Sequence, residues 1–174
     1  MSNVKVFKPE AEILNKVELL GKQITSDYQG ESIVLCGVLR GCVPFIADLM
    51  RYINLDIKID FITVSSYVGT ESSGVLNIKK DMTEPITGEN VIIVEDVIDT
   101  GLTMNALLSL FNERKPKSLK VATLFDKPSQ RKLDVNIDYC AFSIPNHFIV
   151  GYGLDFDQKY RNLRDVCILN QPNK

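Results

Sequence analysis

The chain has 174 residues, 45% of them apolar and 24% charged, with a formal net charge of −2. That profile suits one soluble domain, residues 1–174, able to build a core without disulfide staples. The near-neutral balance excludes a surface held to nucleic acid or membrane by bulk positive charge, and neither is an expected partner. The opening MSNVKVFKPE lacks the apolar stretch of a secretion signal, and no run approaches a membrane span. Cytoplasm is the expected location. The four cysteines form no CxxC pair. Cys36, Cys140 and Cys167 read as reduced core residues in apolar strands, with Cys42 less clear.

From Pro9 to Tyr28, apolar residues at Ile13, Val17, Leu20 and Ile24 recur at helical spacing. Pro9 suits a helix start, and Glu10 and Glu12 lie where the helix dipole favours acids. Ser32 to Val38 is a short apolar run that predicts an inner strand, and Pro44 to Arg51 predicts a helix behind it. Asp56 to Ser66 is rich in β-branched residues, and the polar stretch Gly69 to Gly74 breaks the pattern. Asn90 to Val94 predicts the next strand and Thr103 to Asn112 the next helix. Leu119 to Phe125, Tyr139 to Ile144 and Val166 to Leu169 complete the predicted strands. Strands alternating with helices argue for an α/β fold with a mainly parallel sheet, whose ligands bind on loops beyond the carboxyl ends of the strands.

One such loop stands out. In VIIVEDVIDTGLTM, an apolar strand runs into Glu95, Asp96 and Asp99. Carboxylates beside a buried strand are costly unless something meets them. Asp99-Thr100-Gly101-Leu102-Thr103 then leads into a helix. Gly101 permits a tight turn, and the threonine hydroxyls lie with free N–H groups at the helix N-terminus, a geometry that accepts phosphate. Carboxylates accept hydrogen bonds from vicinal hydroxyls, so a sugar phosphate satisfies both halves. A plain helix cap is the bland alternative. The chain has neither GxGxxG nor GxxxxGK[ST], which counts against a dinucleotide fold or a P-loop.

These residues carry a resemblance. VIIVEDVIDTGLT resembles the phosphoribosyl pyrophosphate signature of the type I phosphoribosyltransferases. VLRG, SSY, DKPS and HFIVGYGLDFDQKYR are similar to the 6-oxopurine branch, the hypoxanthine (hypoxanthine-guanine) phosphoribosyltransferases. The resemblance implies a mainly parallel sheet flanked by helices, with a small base-binding hood drawn from the N- and C-terminal segments. It also implies transfer of ribose 5-phosphate from a Mg²⁺-bound donor to purine N9, giving IMP or GMP and pyrophosphate. A homodimer or homotetramer is the implied assembly.

Residue by residue, the resemblance implies that Glu95 and Asp96 hold the ribose hydroxyls, directly or through metal and water. Asp99, Thr100, Gly101, Leu102 and Thr103 would cradle the 5-phosphate, and Asp99 matches the acid or base at purine N7. Leu102 stands where several relatives carry a polar or basic side chain. Leu39-Arg40-Gly41 matches the pyrophosphate loop, where the family often has a non-proline cis peptide, and Arg161 matches a second pyrophosphate contact. Ser66 and Tyr67 match the head of a closing loop. Lys127 matches the donor to the exocyclic oxygen at purine position six. Phe148 matches the ring stacked on the base, Ile149 its backbone contact, and Asp155 a Mg²⁺ ligand at the base end of the site. His147, the one histidine, has no partner pattern for catalysis and reads as a loop residue. Two alternatives remain: a nucleotide-sensing regulator of the same fold, and a xanthine-preferring enzyme.

Overall fold

Unbroken apolar strands need cover on both faces, and this chain supplies it with helices. A computed structural model describes residues 4–66 and 76–169. In chain order its elements are β1 (Val4–Lys8), α1 (Glu10–Asp27), β2 (Ile33–Leu39), α2 (Val43–Leu49), β3 (Ile57–Ser66), β4 (Leu76–Lys80), β5 (Asn90–Ile98), α3 (Leu102–Glu113), β6 (Ser118–Asp126), β7 (Tyr139–Ser143), β8 (Ile149–Val150) and β9 (Val166–Leu169).

The central sheet has the order β4-β3-β2-β5-β6-β7. Its neighbours pair parallel from β3 to β7, and only β4 runs antiparallel, against β3. The sheet's pleat sorts the side chains of β5. Ile92 and Val94 join the core formed with α1 and α2, while Val91 and Ile93 join the core formed with α3. A second sheet, β1-β9-β8, is antiparallel throughout and is built from the first and last described strands.

The predicted helices and inner strands lie where expected, to within a few residues. The strand predicted to end at Val94 continues to Ile98, however. Parallel pairing holds Glu95 opposite Thr123, Val97 opposite Phe125 and Ile98 opposite Asp126. The hydrogen-bond ladder therefore outlasts the apolar run, and Glu95 and Asp96 sit on a strand rather than in a loop. The sequence pattern missed three strands. β1 (VKVFK) and β4 (LNIKK) are half polar, and β8 has only two residues. Cys140 is exposed on the edge strand β7 rather than in the core as expected, and Cys42, left open by the sequence, is fully buried. The predicted Gly69–Gly74 loop and Tyr67 lie outside the described residues.

Phe111 is fully buried where α3 meets the sheet. Truncating it should leave a void that rigid strands cannot close. Phe111→Ala is expected to lower unfolding free energy by about 3–5 kcal/mol, read from urea denaturation.

Candidate active site

Loops at the carboxyl ends of β2, β5 and β6 meet at one end of the central sheet, as parallel architecture requires, and the segment at β8 of the second sheet joins them. Their closest approach is at two glycines. A side chain on Gly41 would run into the carboxylate of Asp96, and one on Gly153 would run into the carbonyl of Gly41. Gly153 also has a φ of +96°, which side chains disfavour. The backbone of the β2 loop is thus held between the Asp96 carboxylate on one side and the tail segment on the other. The Leu39–Arg40 peptide is cis.

Glu95 and Asp96 are only partly exposed at this junction. The Glu95 carboxyl lies well above its ordinary value, first because burial disfavours the charged form and then because Asp96 repels a second negative charge. Asp96 is raised too, by burial, while a hydrogen bond from Glu95 and the charge of Arg161 oppose the shift.

The pleat sends the two acids into different clefts. Glu95 lines the first with Val97, Asp99, Thr100, Gly101 and Thr103. Asp96 lines the second with Val97, Asp99, Lys127, Phe148, Ile149 and Asp155. Val97 and Asp99 belong to both. In the first cleft, Gly101 takes a φ of +82° and caps α3 with no side-chain hydrogen bond. The first intrahelical bond runs from the N–H of Asn105 to the Gly101 carbonyl. The N–H groups of Thr103 and Met104 therefore face outward as orphan donors. The Leu102 N–H reaches the Thr100 hydroxyl at 3.4 Å, and its side chain is exposed. Free donors at a helix N-terminus are suited to an anion.

In the second cleft, Lys127 is 7% exposed, yet among the described residues its ammonium has no hydrogen bond or ion pair. The side chain is packed in place while its ammonium opens onto the cleft, with its donors free for a ligand. Phe148 is exposed and meets Phe156 edge to face at 5.5 Å. The Ile149 side chain is buried in the main core. The Leu169 N–H donates to the Phe148 carbonyl at 3.0 Å. In an antiparallel ladder with Ile149 opposite Ile168, that bond turns the N–H and C=O of Ile149 away from β9. His147 also lines this cleft, its ring edge on Phe7 at 5.4 Å.

Arg40 and Arg161 converge on a residue that sequence reading passed over. Each donates to the Gln158 Oε1, at 3.1 Å in both cases. Arg161 also pairs with Asp155 at 2.8 Å and donates to the Gly153 carbonyl. Asp155 is thus engaged by a cation, and no group of three His, Cys, Asp or Glu side chains placed to hold a metal occurs among the described residues. Ser66 ends β3, and Tyr67 is outside the described residues. Burial pushes the Cys36 thiol up to about 12 and Cys42 higher still, so neither is a thiolate nucleophile.

A phosphoribosyl transferase domain matches residues 5–157. The chain belongs to that family. Among phosphoribosyltransferases, it is 48% identical over 168 residues to the Streptococcus pneumoniae hypoxanthine-guanine phosphoribosyltransferase, covering 96% of this chain and 93% of the relative. The crystal structure of a Bacillus anthracis hypoxanthine-guanine phosphoribosyltransferase superposes with a TM-score of 0.92 at 45% identity, over 97% of this chain and 99% of that one. A Trypanosoma cruzi hypoxanthine phosphoribosyl transferase gives a TM-score of 0.93 at 38% identity, over 98% and 93%. The phosphoribosyltransferase fold expected from the sequence is the fold found.

The Glu95–Asp96 pair leaves a mark on stability. Because the folded pKa of Glu95 is raised, the native state keeps a proton that the unfolded chain has released. Stability therefore falls as pH rises above the ordinary 4.5 toward the raised value. Glu95→Gln keeps the shape without the ionisation. Thermal melts without divalent cations, from about pH 5 to about pH 8, should show the wild type losing stability relative to the variant.

Proposed function

We propose that this protein is a purine-salvage enzyme that transfers the 5-phosphoribosyl group of phosphoribosyl pyrophosphate to N9 of hypoxanthine and guanine, giving IMP or GMP and pyrophosphate. The observation that carries this reading is the pair of adjoining clefts that meet at Val97 and Asp99. One offers an anion cradle and the other an unpartnered ammonium beside an exposed aromatic ring. A sugar phosphate and a 6-oxopurine fill them side by side. Relatives 48% identical over nearly the whole chain, named for this activity, support the choice of base.

In this reading the N–H groups from Thr100 to Thr103 hold the 5-phosphate, with Leu102 contributing only its backbone. Glu95 and Asp96 accept the ribose hydroxyls. Leu39, Arg40, Gly41 and Arg161 hold the pyrophosphate, and Gln158 keeps the two arginines together before it arrives. Lys127 donates to the exocyclic oxygen, which disfavours adenine with its amino group there. Phe148 stacks on the ring, a contact worth about 1–3 kcal/mol, and the open N–H and C=O of Ile149 meet its edge. As pyrophosphate leaves, positive charge develops on the ribose, and the fixed carboxylates nearby stabilise it. Asp99, lining both clefts, takes the proton at N7. Ser66 and Tyr67 head the loop proposed to close over the site and exclude water.

Mg²⁺ is the proposed cofactor. Two crowded carboxylates suit a hard cation that keeps waters and takes phosphate oxygens instead of a full protein cage. Glu95 and Asp96 would hold it, and Asp155 would join them only on giving up Arg161. When bound, it neutralises charge on the departing pyrophosphate. The chain is proposed to act in the cytoplasm as a homodimer or homotetramer. Among the described residues, no helix is long and apolar enough to cross a membrane.

Incubation with phosphoribosyl pyrophosphate, Mg²⁺ and each of hypoxanthine, guanine, xanthine and adenine should release pyrophosphate fastest with the first two. Donor binding without release for any base would replace the enzyme by a sensor of the same fold. Asp99→Asn is expected to lower kcat by about a hundredfold or more while changing donor affinity little. Near-normal turnover in that variant would remove Asp99 from proton transfer.

A further inference from the structure

The loop from Ile98 to Gly101 has every one of its carbonyls engaged, and the partners of the first three come from a single segment. The Lys127 N–H donates to the Ile98 carbonyl at 3.0 Å. Arg131 Nη1 donates to the Asp99 carbonyl at 2.8 Å. The N–H groups of Lys132 and Leu133 both reach the Thr100 carbonyl, at 2.9 and 3.1 Å. The Gly101 carbonyl accepts from Asn105, whose side chain also donates to the Asp134 carbonyl. Turning the carbonyls toward residues 127–134 leaves the N–H side of the loop for the anion.

All of these contacts but one run through main-chain atoms or hold a helix terminus. The exception is Arg131. Its guanidinium is forked: Nη2 is ion-paired to Asp126 at the end of β6, and Nη1 holds the Asp99 carbonyl. Both carboxyl-end loops are therefore pinned by one partly buried side chain. Its Cδ also lies close to Gly101, where a side chain would meet it.

We propose that Arg131, oriented by Asp126, is a positioning residue that sets the placement of the Asp99 carboxylate and the phosphate-binding N–H groups. This rests on the functional reading above. The guanidinium fork matters because it satisfies two acceptors in a fixed plane. A lysine reaches one acceptor at a time. Lys127 has its own backbone bond to Ile98, so the base contact is held independently of Arg131. Loss of Arg131 should thus disturb phosphate binding and proton transfer but leave base recognition in place.

The test compares wild type, Arg131→Ala, Arg131→Lys and Asp126→Asn. Pyrophosphate release gives kcat and the KM for hypoxanthine, calorimetry gives IMP affinity, and thermal melts report folding. Arg131→Ala should lower kcat and IMP affinity by about tenfold to a hundredfold, the range that a small misplacement of reacting groups produces. Its KM for hypoxanthine should stay within about threefold of wild type. Arg131→Lys should recover part of the loss, and Asp126→Asn should show a smaller loss than Arg131→Ala.

Folded Arg131→Ala with wild-type kcat and IMP affinity overturns the proposal, as does an equal loss in the hypoxanthine KM. If Arg131→Ala does not fold, Arg131→Lys with wild-type kcat and IMP affinity overturns it. Wild-type protein that neither releases pyrophosphate nor binds IMP overturns the functional reading and this inference with it. An active wild type beside an unaffected variant overturns the inference alone.

Discussion

Two carboxyl groups on adjacent residues of a buried strand are the constraint around which this end of the molecule is arranged. Glu95 and Asp96 stay on β5 because the parallel ladder to β6 continues past the apolar run. They are desolvated there, and the chain leaves the repulsion between them in place. The closest neighbour is Gly41, with no side chain to offer, and behind it Gly153. Arg161, whose charge acts on Asp96, is already engaged by Asp155 and the Gly153 carbonyl. An acid pair kept short of countercharge is a strained arrangement for folding but a prepared one for polyhydroxyl or cationic ligands.

The same division between scaffold and ligand recurs around the site. In the phosphate loop the acceptors are consumed by protein and the donors left over. Among the described residues the Lys127 ammonium has no partner, whereas Arg40 and Arg161 are gathered by the amide of Gln158. A neutral partner releases Arg40 readily to a stronger anion, whereas Arg161 must also leave the Asp155 carboxylate. The two sheets contribute separately. The central sheet carries the acid pair and the loop proposed for phosphate, and the sheet built from the ends of the described chain carries the strand proposed to face the base.

Much of this was legible in the residues. The acid pair, the Gly101 turn and the helix behind it form a contiguous signature, so one stretch of sequence predicted one loop. Arg40, Lys127 and Arg161 were legible only through resemblance, because a lone basic residue at a loop carries no signal by itself. Gln158 and Arg131 were not legible at all. Their importance comes from partners far along the chain, such as Arg40 for Gln158 and the Asp99 carbonyl for Arg131. The missed strands have the same explanation. β1 and β8 are strands because β9 lies between them: nothing in the five residues of β1 announces a partner near the far end of the chain, and the two residues of β8 are too few to announce the nearer one.

The edge strand β8 also bears on how such a site can change. Ile149 buries its side chain in the core and turns only its peptide groups outward. Every residue except proline presents the same N–H and C=O, so substitution there cannot rewrite the pattern offered to a base edge. It can only damage the packing behind it. In the proposed reading, heritable shifts in base preference therefore arise elsewhere, at side chains such as Lys127 and Phe148 or in whatever displaces β8 as a unit. That part of the specificity is written in the main chain, beyond the reach of single codons.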